Sequence, residues 1–321
     1  MLAYFSAVVA GIALLVWGAD RFVVGAAATA GNLGISPLII GLTIVGFGTS
    51  APEIVVSIVA AWSGNTALAI GNALGSNIAN IALILGATAL IAPLIVRSDT
   101  LRREFPVLLA TMLVALILIV DGTLGRSDGV VLLLGMVVML YWVASLGLRG
   151  RADPIVAEFT AEMPPEMPTW RALLWLGLGL ALLLASSRAL VWGAVHIALA
   201  LGVSELVIGL TIVALGTSLP ELATSIMSAL KGEHDIAIGN VIGSNMFNLL
   251  VVLGLPGLIR PGPVPSAVLE RDFPVMIGVT LALFALAYGF RQPGHISRPA
   301  GAVLLLAFTA YQTLLYYAEK H

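Results

Sequence analysis

The chain has 321 residues, of which 60% are hydrophobic and only 10% are charged. A soluble domain carries roughly 25% charged residues, so this chain is too apolar to cover a water-facing surface, and its mean hydropathy is +1.06. The net charge of −2 gives no indication of a nucleic-acid partner. Because the chain has no cysteine, disulfides and thiolate metal sites are excluded.

Apolar segments long enough to cross a bilayer, about 20 residues each, recur along the whole chain. We therefore predict an all-α polytopic membrane protein with ten transmembrane helices. The approximate spans are 3–24, 36–62, 67–95, 104–120, 129–148, 171–194, 204–230, 235–259, 272–290 and 299–318. The one long polar stretch, 149–170, contains MPPEMP and is predicted to link a first five-helix repeat, 1–148, to a second, 171–321.

The two halves of the chain are copies of each other at an offset of 168 residues. The densest part is 41–86, whose copy is 209–254, and 24 of these 46 positions are identical. Five spans per copy is an odd number, so the second copy must cross the membrane in the opposite sense. The sequence thus predicts two inverted repeats related by a pseudo-two-fold axis in the membrane plane.

Lysine and arginine are unevenly distributed over the two predicted sides of the membrane. Five lie on the side of the termini and ten lie on the side of the linker. Positive residues favour the cytoplasmic side, so we predict that the linker is cytoplasmic and that both termini are outside.

Each copy places a glutamate inside an apolar run, within GTSAPE at 48–53 and GTSLPE at 216–221. Proline cannot donate a backbone hydrogen bond, so carbonyls one turn upstream, around Gly46–Gly48, are predicted to lose their helical partners. Ser50 and Glu53 are three residues apart and share a helix face. A duplicated carboxylate in hydrocarbon is costly, which favours an ion-binding function.

The following span of each copy contributes amides and hydroxyls, in GSNIAN at 75–80 and GSNMFN at 243–248. Gly71 and Gly75 are spaced to let another helix approach closely. Carboxylate, amide, hydroxyl and carbonyl oxygens without sulfur or imidazole form a ligand set for hard cations such as Ca²⁺ or Na⁺. Two neighbouring carboxylates repel each other unless a divalent cation, several Na⁺ ions or protons balance them. One site could therefore hold mutually exclusive ions.

These paired motifs resemble the two α-repeats of the cation/Ca²⁺ exchanger superfamily. They are most similar to its bacterial and archaeal sodium/calcium exchanger branch, which includes YrbG-type inner-membrane proteins. The resemblance covers nearly the whole chain and implies a secondary antiporter of the bacterial inner (plasma) membrane that exchanges Na⁺ for Ca²⁺ by alternating access. It implies no resident cofactor, and Ca²⁺ and Na⁺ as transported ions.

The resemblance also implies a set of site residues. The central cation site would comprise Glu53, Asn80, Glu221 and Asn248, with the two glutamates as carboxylate ligands. The flanking cation sites would use Thr49, Ser50, Ser76, Asn77, Thr217, Ser218, Ser244 and Asn245, with backbone carbonyls near Gly46 and Ala214. Some relatives, including K⁺-dependent exchangers, have aspartate where this chain has Asn248, which argues against K⁺ transport here.

Three other functions stay open at this point. Two glutamates could carry protons, which would make the protein a Ca²⁺/H⁺ antiporter. A passive cation channel is a less favoured alternative, and an intramembrane enzyme is disfavoured because the sequence has no evident nucleophile or catalytic metal motif. One copy of the chain would hold the whole site, and the sequence leaves the oligomeric state open.

Overall fold

A computed structural model describes residues 2–35, 37–64, 66–96, 101–149, 167–201, 214–287 and 294–318. By its packing the chain divides into two compact units. The first unit comprises Met1–Pro52 and Val143–Asn240, and the second comprises Glu53–Trp142 and Val241–His321. Each unit therefore combines segments of both sequence copies. The repeat and linker bounds read from the sequence stay predictions, and residues 150–166 of the linker lie outside the described residues.

The described residues form helices with short π-helical turns and four short strands. The first copy contains α1 Leu2–Leu33, α2 Pro37–Ile40, π1 Gly41–Val45, α3 Gly46–Thr49, α4 Ala51–Trp62, α5 Thr66–Ile78, π2 Ala79–Leu85, α6 Gly86–Ile91, β1 Leu94–Val96, α7 Leu101–Ile119, β2 Thr123–Leu124 and α8 Arg126–Arg149. The second copy contains α9 Thr169–Ala200, α10 Ala214–Thr217, α11 Leu219–Leu230, α12 His234–Phe247, π3 Asn248–Val252, α13 Gly254–Ile259, β3 Gly262–Pro263, π4 Val268–Asp272, α14 Phe273–Ala287, β4 Gly294–Ile296 and α15 Arg298–Ala318.

Several of these helices have the length and composition of membrane spans. Within the described residues there are five, or six if the bent pair Gly41–Thr49 and Ala51–Trp62 is one span. Residues 202–213 and 288–293, which belong to the predicted seventh and ninth spans, lie outside the described residues. The count of ten spans therefore stays a prediction.

In the first unit, α1 and α9 pack along each other in opposite directions. At Gly25 a Cβ would lie 2.8 Å from the Ala172 carbonyl oxygen, and at Gly193 it would lie 2.7 Å from the Tyr4 carbonyl oxygen. The start of each helix thus meets the end of the other, and the two crossings are equivalent at the offset of 168. The first helices of the two copies are therefore antiparallel, as the inverted repeat predicts. Each has 32 residues and spans about 48 Å, more than the roughly 30 Å of a bilayer core.

The second helix of each copy is broken immediately before the predicted glutamate. The helix axis turns by 51° between α3 and α4, and Ser50 at the break has φ −79° and ψ 6°. Ser218 breaks the second copy with φ −90° and ψ 7°, and Pro220 follows in the first turn of α11, where a missing N–H costs nothing. The prediction of free carbonyls is wrong for Gly46, because its oxygen accepts the Ser50 N–H at 3.1 Å.

The third helix of each copy contains a π-helical turn that the sequence did not predict. These turns, π2 and π3, begin at Ala79 and Asn248, and they include the predicted ligands Asn80 and Asn248. A π-turn inserts a residue into the helical repeat and is often found at functional sites. Asn80 and Asn248 therefore lie where the regular backbone pattern is interrupted in both copies.

Two glycine crossings hold helices of the second unit together. A Cβ at Gly301 of α15 would lie 2.7 Å from the Gly86 carbonyl oxygen, and one at Gly129 of α8 would lie 2.6 Å from the Gly254 carbonyl oxygen. Gly86 and Gly254 are equivalent at the offset of 168. The expected close approach at Gly71 and Gly75 is wrong for the part of the chain described, because a Cβ at either position would meet no atom within 4 Å.

Two short antiparallel ladders in the second unit also connect the copies. Strand β1 pairs with β4, with Leu94 opposite Ile296, and β2 pairs with β3, with Leu124 opposite Gly262. Position 94 corresponds to position 262, so the segment after the third helix of each copy pairs with a later loop of the other copy. The packing thus follows the symmetry of the repeat.

Candidate ion-binding site

In the first unit, a buried glutamate meets a hydroxyl from the break of the other copy. Glu221 is 1% exposed and Ser50 is fully buried, and Ser50 Oγ donates a hydrogen bond to Glu221 Oε1 at 3.2 Å. Glu221 lies in the first turn of α11, where the N-terminal end of the helix favours negative charge. Thr49, the neighbour of Ser50, is fully buried as well. Three predicted ligands are therefore close together here.

Asn240 connects these groups, although it is not one of the ligands predicted from the sequence. Its Nδ2 donates to the Glu221 backbone oxygen at 3.3 Å and to Ser225 Oγ at 2.9 Å. Its Oδ1 lies 3.0 Å from Thr49 Oγ1, which is the donor in that hydrogen bond. The available signal in the sequence was the identity of Asn240 with Asn72 at the repeat offset, which by itself indicates only the duplication.

In the second unit, the motif asparagines of both copies bond to one another. Asn80 Nδ2 donates to Asn245 Oδ1 at 3.0 Å, and Asn245 Nδ2 donates to the Asn77 backbone oxygen at 3.4 Å. Asn77 and Asn245 are separated by 168 residues, so equivalent positions meet. Such contacts are expected close to a pseudo-two-fold axis.

The two remaining central residues, Glu53 and Asn248, also lie in the second unit and are each 1% exposed. Asn72 Nδ2 donates to the Glu53 backbone oxygen at 3.1 Å, which repeats the contact between Asn240 and Glu221. Glu221 belongs to the first unit. That all four form one site stays a prediction.

Several buried polar atoms of these residues have no hydrogen-bond partner within the described residues. They are Glu221 Oε2, Asn77 Oδ1, Asn80 Oδ1, Asn248 Oδ1 and Asn248 Nδ2. A buried polar atom without a partner costs roughly 1–3 kcal/mol, so such atoms seldom persist without a function. Four of these five atoms are oxygens, which are the ligands that Ca²⁺ and Na⁺ prefer.

The other predicted ligands are placed as follows. Ser76, Asn77, Ser218, Ser244 and Asn245 are buried, Thr217 is half-buried, and the backbone of Gly46 lies in α3 and that of Ala214 begins α10. Among the described residues, no three His, Cys, Asp or Glu side chains lie close enough together to hold a metal ion. The predicted ligands other than the two glutamates are amide, hydroxyl and carbonyl oxygens.

Comparison with known proteins agrees with this chemistry. The sequence profile of the family described as "Sodium/calcium exchanger protein" matches residues 3–144 and 171–317. CaxA of Alkalimonas amylolytica is 52% identical over 310 residues, which are 96% of this chain and 97% of that protein. The inner membrane protein YrbG of Escherichia coli K12 is 43% identical over 320 residues, with 99% and 98% covered.

A solved structure of the sodium-calcium exchanger NCX_Mj, soaked with zero Na⁺ and Ca²⁺, has the same fold. It superposes with a TM-score of 0.84 at 32% identity, covering 98% of this chain and 99% of that chain. The overlap therefore includes both repeats. The fold predicted from the sequence is confirmed at the level of the whole chain.

Proposed function

The chain belongs to the sodium/calcium exchanger family and is a cation/Ca²⁺ antiporter of the membrane; from that premise we propose that it exchanges Na⁺ for Ca²⁺ by alternating access, without K⁺. The observation that supports this most directly is the contact of Ser50 with Glu221, which joins the glutamate of one copy to the hydroxyl of the other in a fully buried cluster. We propose that Glu53, Asn80, Glu221 and Asn248 bind the central cation.

The charge of this residue set favours Ca²⁺ as one of the transported ions. Two carboxylates about 4 Å apart repel by about 4 kcal/mol at an effective dielectric constant of about 20. A divalent cation cancels both charges, and two monovalent cations do the same at separate positions. Flanking positions for Na⁺ would use Thr49, Ser50, Ser76, Asn77, Thr217, Ser218, Ser244 and Asn245, with the carbonyls of Gly46 and Ala214.

Independence from K⁺ is proposed because the central set has only two ionisable groups. Asn80 and Asn248 are amides and contribute no charge. One Ca²⁺ therefore neutralises the set, and no further cation is required for balance. Na⁺ can replace Ca²⁺ only if it occupies more than one position, so the two ions exclude each other.

Alternating access is supported by the inverted repeat. Because α1 and α9 are antiparallel and make equivalent crossings, the two copies can exchange conformations and yield a second state of similar energy. In that state the site would face the other side of the membrane. We propose that α1 and α9 move during this exchange.

Transport into proteoliposomes tests the proposal. Vesicles loaded with Na⁺ and diluted into Na⁺-free buffer should accumulate ⁴⁵Ca²⁺, and K⁺ on either side should have no effect. Uptake driven by a proton gradient and not by Na⁺ would assign the protein to Ca²⁺/H⁺ exchange. Conduction without any counter-ion, at channel-like rates, would contradict antiport altogether.

The two glutamates provide the matching mutational test. Glu53→Gln and Glu221→Gln should each reduce uptake to the level of empty vesicles, because each removes half of the negative charge that holds Ca²⁺. Glu270→Gln is the control, since Glu270 is exposed and lies outside the proposed site. Glu53→Gln and Glu221→Gln should both elute as folded protein in detergent. Retained transport in both glutamine variants would refute the site.

A further inference from the structure

We propose that Asn240 is a positioning residue, which fixes the Thr49 hydroxyl and the Glu221 backbone in the orientation that cation binding needs. Asn72 fixes the Glu53 backbone in the same way. This inference rests on the proposed function, because it takes Thr49, Glu53 and Glu221 to be ligands. It adds two residues that act through those ligands and do not touch the ion.

The hydrogen bonds of Asn240 determine the orientation of its amide. The side chain is fully buried, and its two N–H groups are used by the Glu221 carbonyl oxygen at 3.3 Å and by Ser225 Oγ at 2.9 Å. A flipped amide would place its oxygen against the Glu221 carbonyl oxygen, and two acceptors repel. Asn240 Oδ1 must therefore face Thr49, where it accepts a hydrogen bond.

This orientation prepares the Thr49 hydroxyl for a cation. A hydroxyl has one proton and two acceptor lone pairs. The oxygens around Thr49 Oγ1 are Asn240 Oδ1 at 3.0 Å, the Val45 carbonyl oxygen at 3.1 Å and the Gly46 carbonyl oxygen at 3.4 Å, and the hydroxyl also bonds to the Glu221 side chain. Its proton is thus directed toward oxygens of the protein, so a cation would approach the hydroxyl at its oxygen. The bond to Asn240 also joins α3 to α12.

The same side chain positions Glu221. The carbonyl that accepts from Asn240 belongs to the first turn of α11, directly after the break at Ser218. A break leaves the first turn with less helical hydrogen bonding to hold it. The contact with Asn240 therefore stabilises the backbone from which the carboxylate extends toward Ser50.

The first copy repeats the contact independently. Asn72 lies 19 residues after Glu53, as Asn240 lies 19 residues after Glu221, and Asn72 Nδ2 donates to the Glu53 carbonyl oxygen at 3.1 Å. Asn72 is only half-buried, so the need to satisfy a fully buried amide does not explain this bond. Both copies thus share one hydrogen bond, from an asparagine Nδ2 to the backbone oxygen of the glutamate.

Steady-state exchange by the full chain in proteoliposomes tests the inference, with the half-saturating concentrations of Na⁺ and Ca²⁺ measured separately from the maximal rate. Asn240→Leu removes all three hydrogen bonds and keeps the number and branching of the side-chain heavy atoms. We expect the half-saturating Na⁺ concentration to rise about tenfold or more, because Thr49 is a proposed Na⁺ ligand. Asn32→Leu is the control, since Asn32 is exposed and bonds to the Met167 carbonyl oxygen, and it should leave both values unchanged.

A double-mutant cycle separates positioning from general stability. If Asn240 acts through Thr49, then Thr49→Val and Asn240→Leu should raise the half-saturating Na⁺ concentration by no more together than the larger single effect. Multiplied effects of the two changes would overturn the proposal. So would unchanged half-saturating concentrations for both ions in Asn240→Leu, with only the maximal rate reduced.

If Asn240→Leu does not fold, Asn72→Leu at the half-buried position decides the question. It should raise the half-saturating Ca²⁺ concentration several-fold, because it loosens Glu53, and an unchanged value would overturn the inference. A failure of this inference can be distinguished from a failure of the proposed Na⁺/Ca²⁺ exchange. Should the native chain be driven by protons and not by Na⁺, the half-saturating Ca²⁺ concentration still reports on positioning in every variant.

Discussion

Asn248 differs from its neighbours in the site, because both polar atoms of its buried side chain lack a hydrogen-bond partner within the described residues. Asn80, at the equivalent position, uses its Nδ2 to bond with Asn245. An amide with both ends unpaired can turn its oxygen toward a cation at little cost. Asn248 is therefore the residue of the proposed central site that is freest to adapt, and its lack of charge limits the site to two carboxylates.

Adding a carboxylate at this position should change the affinity of the site for Ca²⁺. Asn248→Asp raises the number of ionisable groups from two to three, and ⁴⁵Ca²⁺ exchange is measured above neutral pH so that the new group is ionised. We expect the KM for Ca²⁺ to fall about tenfold and the maximal rate to fall as well, because the stronger Coulomb attraction slows release. Asn248→Ser, which adds no charge, should not lower the KM. An equal fall in both variants would show that charge at this position is not what limits affinity.

The elements of the second unit are positioned by glycines at helix crossings and by two short ladders. Gly129 and Gly254 bring α8 against α13, and Gly86 and Gly301 bring α6 against α15. Each crossing joins one copy to the other, and α13 and α6 directly follow the π-turn regions that contain the asparagines. The crossings therefore fix the helices that follow the segments with Asn80 and Asn248.

A methyl group at such a crossing should destabilise the protein. In Gly129→Ala the Cβ would lie 2.6 Å from the Gly254 carbonyl oxygen and 2.7 Å from the Leu258 amide nitrogen, which is closer than van der Waals contact allows. We expect a loss of about 1–3 kcal/mol, as for other overpacked sites, measured as a lower apparent melting temperature in detergent. Gly278→Ala in α14, where a Cβ would meet no described atom within 4 Å, is the control. Equal melting temperatures for the two variants would mean that the crossing tolerates expansion.

At the scale of the whole molecule, the antiparallel packing of α1 and α9 agrees with an odd number of spans per copy. An odd number in each copy gives an even total, so both termini should lie on one side of the membrane and the linker on the other. The excess of positive residues on the linker side predicts that this side is cytoplasmic. Opposite orientation of the copies also supports the proposed alternating access.

Single cysteines test this topology, because the native chain has none. Lys320→Cys should react with a membrane-impermeant maleimide in spheroplasts, in which the inner membrane is still closed. Ala161→Cys in the linker should react only after the inner membrane is opened. Labelling of both positions from the same side would contradict the inverted repeat. The reverse pattern would keep the inversion and correct only the orientation.

The amino-acid sequence by itself determined the membrane class, the duplication and the inversion, because hydropathy and the 168-residue repeat are properties of the chain that do not depend on packing. It also indicated the burial of Glu53, Asn80, Glu221 and Asn248, since polar side chains inside apolar runs are costly in lipid and turn toward the protein interior. The prolines predicted disturbed helical hydrogen bonding before each glutamate. The structure has breaks at Ser50 and Ser218, although the Gly46 carbonyl retains its partner.

Only the tertiary structure decided which polar groups meet. The contacts of Asn240 with Thr49 and Glu221, and of Asn80 with Asn245, join residues more than 160 positions apart or on different helices. The π-turns and the choice of Gly129 and Gly301 over Gly71 and Gly75 as crossing points were equally out of reach, because a glycine spacing does not say which neighbouring helix approaches. These features depend on the close packing of helices from both copies, in which a shift of about 1 Å separates a hydrogen bond from an unpaired group.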